Sequence, residues 1–210
     1  IPFLLHSEIR ALKSIKEIKE KWDEKCWVLV DLDNCLFEAQ QALGHADWFY
    51  DLVKDRMNKG MTKDEAIMDA YPLWIKTQSI CEVRPIEPDF ISLIKDLQNK
   101  EIVVIGLTHR QPSIINSTIR QVFSLSIDFT KTAPKINEPF EVNINGPSLF
   151  KKGVLFVGDY NKKSDVLLKF FEKTSVMPSK IVFFDDKRSN VEDLSPMLDK
   201  LGIDYLGVHY

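Results

Sequence analysis

Apolar runs of strand length recur along the chain, and most lead through a polar turn into a segment with helical periodicity. Cys26-Trp27-Val28-Leu29-Val30, Ile102-Val103-Val104-Ile105-Gly106-Leu107 and Ile181-Val182-Phe183-Phe184 carry no charge, as expected of strands buried on both faces. Strands are therefore predicted over 26–32, 102–107, 154–157, 181–184 and 205–208. Between them, apolar residues at three- and four-residue spacing predict helices over 113–124, 163–173 and 190–201. Such alternation predicts an α/β class domain built on a doubly wound parallel sheet.

Three segments depart from this rhythm. Ser7 is placed to cap a helix carrying Ile9, Leu12, Ile15 and Ile18 at every third position. From Glu38 to Gly44 the backbone is expected to leave the sheet. A helix over 46–58 then aligns Trp48, Phe49, Leu52, Val53 and Met57, with Gly60 as its stop. Thr62-Lys63-Asp64-Glu65 has the capping-box pattern and opens a second helix through Ile67, Tyr71, Trp74 and Ile75. Pro85-Ile86-Glu87-Pro88 closes this insertion, and a helix through Phe90, Ile91, Ile94 and Leu97 returns to the sheet. Residues 130–152, punctuated by Pro134, Pro139, Gly146 and Pro147, read as a loop excursion in which Phe140 to Ile144 alternates like a short edge hairpin. The division is thus a core of 1–38 and 85–210 around a small helical insertion of 39–84.

Composition narrows the class. The 210 residues carry a net charge of −3, with Lys and Arg scattered and no basic block, so nucleic acid and anionic membrane surfaces are not expected partners. No apolar run approaches the roughly twenty residues of a membrane span, and a soluble protein is expected. Ile1-Pro2-Phe3-Leu4-Leu5 lack an initiating Met and a full signal-peptide core. The expectation is a mature or trimmed product, cytoplasmic, or periplasmic if an export signal was removed upstream; nothing in the sequence sets an oligomeric state. Cys26, Cys35 and Cys81 have no zinc-ligand spacing. Cys35, with no neighbouring His or Lys to activate it, is expected to pack its loop.

Chemistry gathers where strands end. Asp31-Leu32-Asp33-Asn34 follows the first apolar run, putting two carboxylates at the mouth of the sheet, where open parallel sheets bind ligands. Asp and Asn also follow strands for plain turn-forming reasons. The second run ends in Thr108-His109-Arg110, Lys163 opens an amphipathic segment, and the third long run meets Asp185-Asp186.

This ordered set, strand-DxD, strand-Thr, Lys, strand-DD, resembles the haloacid dehalogenase-like (HAD) phosphohydrolases over residues 26–190. The resemblance implies a HAD-like, Rossmannoid fold with a small helical cap between the first two motifs, and a phosphatase acting on a small phosphorylated substrate. It implies Asp31 as nucleophile forming an aspartyl-phosphate, Asp33 as acid and base, Thr108 as a phosphoryl hydrogen-bond donor, and Lys163 as partner of the nucleophile. Mg²⁺ would be held by Asp31, the backbone carbonyl of Asp33 and Asp185, with Asp186 acting through a metal-bound water or on Lys163. Lys162 competes with Lys163 for the motif position, and Ser164 replaces the family's usual Gly. His109 and Arg110 are candidates for substrate contact, with a surface loop as the alternative for His109. Thr108 and Asn190 are alternatively helix caps, and Trp48, Phe49, Trp74 and Asp47 are candidate cap contacts. Asp33 points to phosphatases and phosphomutases within that family. Transfer to an organic acceptor, and a binding protein that keeps the fold with weak catalysis, are the competing readings.

Overall fold

The computed structural model describes residues 7–136 and 139–210; the expectations for Ile1 to Leu5 lie outside the described residues. In chain order the strands are β1 (Ser7–Ala11), β2 (Cys26–Val30), β3 (Phe37–Ala39), β4 (Val83–Pro85), β5 (Val103–Thr108), β6 (Phe140–Asn143), β7 (Pro147–Lys151), β8 (Val154–Phe156), β9 (Lys180–Asp185) and β10 (Asp204–His209). The helices are α1 (Ala46–Asn58), α2 (Lys63–Gln78), α3 (Pro88–Asn99), α4 (Ile115–Ser124), α5 (Lys163–Thr174) and α6 (Arg188–Leu201).

Eight strands form one sheet in the order β1-β10-β9-β2-β5-β8-β7-β6, parallel from β1 to β8 and antiparallel over β7 and β6. The expected α/β class with a mainly parallel sheet is what forms. Side-chain alternation sorts the core into two layers. Cys26, Val28 and Val30 of β2 face a layer shared with Phe90 and Ile94 of α3, while Trp27 and Leu29 face one shared with Val166, Leu167 and Phe170 of α5 and Leu194 of α6. Helices on both faces explain why the central strands are continuous apolar runs.

The helix expected from Ser7 does not form. Ser7–Ala11 is an edge strand paired in parallel with Tyr205–His209, and a 3₁₀ turn over Ile15–Glu17 follows. A parallel neighbour satisfies the backbone of this short segment, whereas a helix would gain only part of an apolar stripe, so tertiary pairing overrides the local period. The loop excursion expected over 130–152 becomes the β6–β7 hairpin, whose second arm pairs with β8 and extends the sheet. The chain between Phe37 and Pro85 leaves and rejoins through a two-stranded antiparallel ribbon of β3 and β4, fastened by Arg84 on Glu38 at 2.7 Å. Beyond that ribbon stand α1 and α2, the latter begun by the Thr62–Glu65 capping box.

Gly207 of β10 faces α6 so closely that a methyl group there would clash with Val191 Cγ1. Gly207→Ala is therefore expected to cost about 1–3 kcal/mol through overpacking, read as a fall of several degrees in Tm. An unchanged Tm would show that Val191 has room to turn aside.

Candidate functional site

Strand parity aims the acids. Asp31 continues β2 by one residue, its N–H donating to the Phe184 carbonyl at 2.9 Å, and so shares the side of Trp27 and Leu29. Asp185 ends β9 with the parity of Ile181 and Phe183, on the same side. That is the face on which α5 packs, and α5 begins with Lys163. Its ammonium donates to Asp31 Oδ1 and Asp185 Oδ2 at 2.6 Å each, with Lys163 and Asp185 fully buried and Asp31 nearly so. Lys162 points outward, its side chain 73% exposed.

Asp185 Oδ1 also accepts from the Lys187 N–H at 2.8 Å and from Asn190 Nδ2 at 3.0 Å. Of the two roles open to Asn190, helix cap or contact with the site, the structure shows the second. Helix α6 starts at Arg188 with no side-chain cap, and the amide is used on the carboxylate. Arg188 pairs with Glu192 at the surface.

Carboxylate oxygens of Asp31, Asp185 and Asp186 lie within 4.8 Å of one another. Burial, which the ammonium of Lys163 opposes, raises the Asp31 carboxyl, and the Asp185 charge adds to the rise. Burial and then Asp185 push Asp186 up as well. Burial disfavours the Lys163 ammonium, but its two carboxylate partners outweigh that and hold it charged. Three acids thus share the Lys163 ammonium, with Lys187 beside Asp186, leaving negative charge in excess. An all-oxygen donor set with that imbalance fits a hard divalent cation such as Mg²⁺.

Asp33 lies one turn further along, where Asn34 at φ +61° bends the chain, a conformation Asn tolerates. Its carboxylate is gripped by the Arg110 fork, Nε to Oδ2 and Nη2 to Oδ1, both at 2.7 Å. The remaining Arg110 donors reach Thr118 at 3.1 Å, Gln121 at 2.5 Å and Gln78 at 3.1 Å. All five guanidinium N–H groups are thereby engaged. Arg110, expected to bind substrate, borders the cleft but has no donor left for a phosphate. What it holds is Asp33.

Thr108 is buried, and its hydroxyl accepts from the Arg110 N–H at 3.1 Å rather than capping a helix. His109 is half-buried, not a surface loop residue, with Nδ1 3.2 Å from the Gly158 carbonyl. A carbonyl only accepts, so Nδ1 carries the proton. Burial, with Lys163 nearby, lowers the imidazole pKa and favours the neutral ring. Cys35 is buried and its thiol is pushed well up by burial, in keeping with a packing residue.

Asp31, Asp33, Thr108, His109, Arg110 and Asp186 border one cleft of about 900 Å³, whose other wall includes Phe49, Tyr71 and Trp74 of α1 and α2. Trp48 stacks on Trp74 at 6.4 Å without bordering the cleft, and Asp47 is turned to solvent. Sequence reasoning missed Gln78, Thr118 and Gln121. The available signal was polar residues on a buried helical face, since Thr118 and Gln121 share theirs with Val122.

A haloacid dehalogenase-like hydrolase of Streptococcus pneumoniae superposes with TM-score 0.50 at 12% identity, covering 86% of this chain and 92% of that one, which establishes a HAD-like fold. A family described as "Protein of unknown function (DUF2608)" matches residues 8–210, and the chain belongs to it. Relatives include a candidate outer membrane protein of Chlamydia pneumoniae, 29% identical over 98% of this chain and 76% of its own length. An uncharacterised Rickettsia prowazekii protein is 23% identical over 94% of this chain and 73% of its own length. Among the described residues no helix is long and apolar enough to cross a membrane.

Arg110→Ala would leave Asp33, Gln78 and Gln121 without their shared donor. With Arg110 buried but Asp33 partly exposed, the loss is expected to cost about 1–3 kcal/mol, a fall of roughly 2–12 °C in Tm for a chain of this size. A change under 2 °C would show that water replaces the guanidinium at little cost.

Proposed function

We propose that the protein is a Mg²⁺-dependent phosphohydrolase that cleaves a small phosphomonoester through an aspartyl-phosphate. One observation carries the reading: a buried ammonium bridges Asp31 and Asp185 at 2.6 Å each, with Asp186, Asp33 and Thr108 on the same cleft. A phosphate monoester repels nucleophiles, so the site must supply positive charge while aiming one oxygen in line. Lys163 fixes Asp31 Oδ1, which leaves the second carboxylate oxygen to attack phosphorus. As the Asp31 O–P bond forms and the ester P–O bond breaks, Asp33, having first taken up a proton from solvent on a lone pair that the Arg110 fork leaves free, gives that proton to the leaving oxygen. It then takes a proton from the water that cleaves the acyl phosphate, restoring Asp31 and releasing inorganic phosphate. The Thr108 hydroxyl donates to a phosphoryl oxygen. Mg²⁺, held by Asp31, the Asp33 carbonyl and Asp185 with Asp186 beside them, would neutralise charge on the phosphoryl oxygens.

In this reading residues 39–84 form a cap over the core of 1–38 and 85–210, with α1 and α2 roofing the cleft. The described strands form an open layer covered by helices on both faces, so the activity belongs to a globular α/β domain and not to a closed barrel.

Purified protein with Mg²⁺ is expected to hydrolyse p-nitrophenyl phosphate, with EDTA abolishing turnover. Asp31→Asn should lower kcat by roughly three orders of magnitude or more. Activity that survives the substitution would overturn the nucleophile assignment. Against the reading as a binding protein, beryllofluoride with Mg²⁺ should raise Tm by mass action in the wild type and not in Asp31→Asn. The absence of any shift at millimolar fluoride would favour loss of catalysis.

A further inference from the structure

The outer part of the cleft is unlike its phosphate end. Phe49, Tyr71 and Trp74 from the helical pair and Tyr160 from the loop after β8 border it, all partly or largely exposed. Phe49 and Trp74 lie 5.2 Å apart at 53°, an aromatic corner open to the cleft. The buried centre of this pair is Val53, Ala66 and Ala70, small residues against which Phe49 packs on one side while it still borders the cleft beside Trp74.

Charge on the lining is one-sided. Asp64 and Asp159 sit among the aromatics, Asp159 accepting from Gln111 with Tyr71 nearby. Of the cations on the lining, Arg110 is saturated by Asp33 and its other partners, His109 favours the neutral ring, and Lys187 lies at the phosphate end beside Asp186, away from the outer aromatics. A second phosphate or a carboxylate on the substrate would meet Asp64 and Asp159 without a dedicated counter-charge. A flat, uncharged ring would meet π-faces, which stack on any base or arene.

Building on the phosphatase reading, we propose that this cleft selects phosphomonoesters whose alcohol carries a flat aromatic group and no second negative charge, the ring lying against Trp74 and Phe49. The volume of about 900 Å³ admits a group of nucleoside size. Nucleosides and simple aryl alcohols share this chemistry.

Matched pairs of substrates test it. Adenosine 5′-monophosphate and ribose 5-phosphate expel the same primary alcohol and differ by the base; 2-naphthyl and phenyl phosphate differ by one fused ring. At least one pair is expected to favour the larger aromatic by roughly tenfold in kcat/KM. Preference within the first pair identifies a nucleoside, and preference within the second alone an aryl alcohol. Glycerol 3-phosphate should exceed 3-phosphoglycerate, which adds a carboxylate. Trp74→Ala, and separately Tyr160→Ala on the core loop in case the first disturbs the helical pair, should collapse the aromatic ratio. Equal rates within both pairs, with ordinary turnover of p-nitrophenyl phosphate, would overturn the selectivity and leave the phosphatase reading standing. Should nothing be turned over, affinities for the same pairs, measured calorimetrically, decide the question: equal Kd values within both overturn it.

Discussion

A single buried ammonium organises this molecule's chemistry. Lys163 has no exposed side-chain surface, and a lone charge in that position would be far too costly to retain. It is held because two strand ends each deliver a carboxylate to the same point, one from β2 and one from β9, and because α5 begins there. Each contribution depends on register. A slip of one residue in either strand would send its acid to the opposite layer, among the side chains of α3, and leave the ammonium half paired. The β2–β9 pairing, continuous from Cys26–Lys180 to Val30–Phe184 and closed by the Asp31 N–H on Phe184, guards against that.

Excess negative charge follows from this arrangement. Asp185 is held in orientation by Lys163, Asn190 and the Lys187 N–H, so it presents a fixed carboxylate to the site. Asp31 has one oxygen tied and one not, and Asp186 faces the opening. The acids that remain underused are those on the cleft, which is where a cation or a phosphoryl group gains most from them. A site in which every carboxylate were as well paired as Asp185 would be more stable and less able to act.

The sequence disclosed those parts whose local pattern and tertiary role agree. Charge-free runs at 102–107 and 181–184 could only be central strands, and the Thr62–Glu65 box could only start a helix, so they were legible to within a residue or two. Ser7–Ala11 was not, because a parallel edge strand is made by its partner, β10, almost two hundred residues away. The β3–β4 ribbon was hidden for the same reason: three residues per strand carry no period. Within the site, the order of acids and Lys163 could be read, since motif spacing reports which residues close strands. The work of Arg110 could not. Its partners come from α2 and α4 as well as the loop after β2, and no linear pattern brings Gln78, Thr118 and Gln121 to one guanidinium.

That second buried cation joins the helical pair to the chemistry. Gln78, the last residue of α2, accepts from Arg110 through Oε1 and donates through Nε2 to the Gly44 carbonyl at 2.9 Å, so one side chain touches both ends of the segment between β3 and β4. Arg120 reinforces the end of α2 by donating to the carbonyls of Gln78, Ser79 and Cys81. Any displacement of the helical pair that reaches Gln78 must therefore strain the grip on Asp33. At its start α1 is tied to the ribbon by His45 on Glu38 at 3.2 Å, and across the cleft Tyr50 lies near Lys187 and Tyr71 near Asp159.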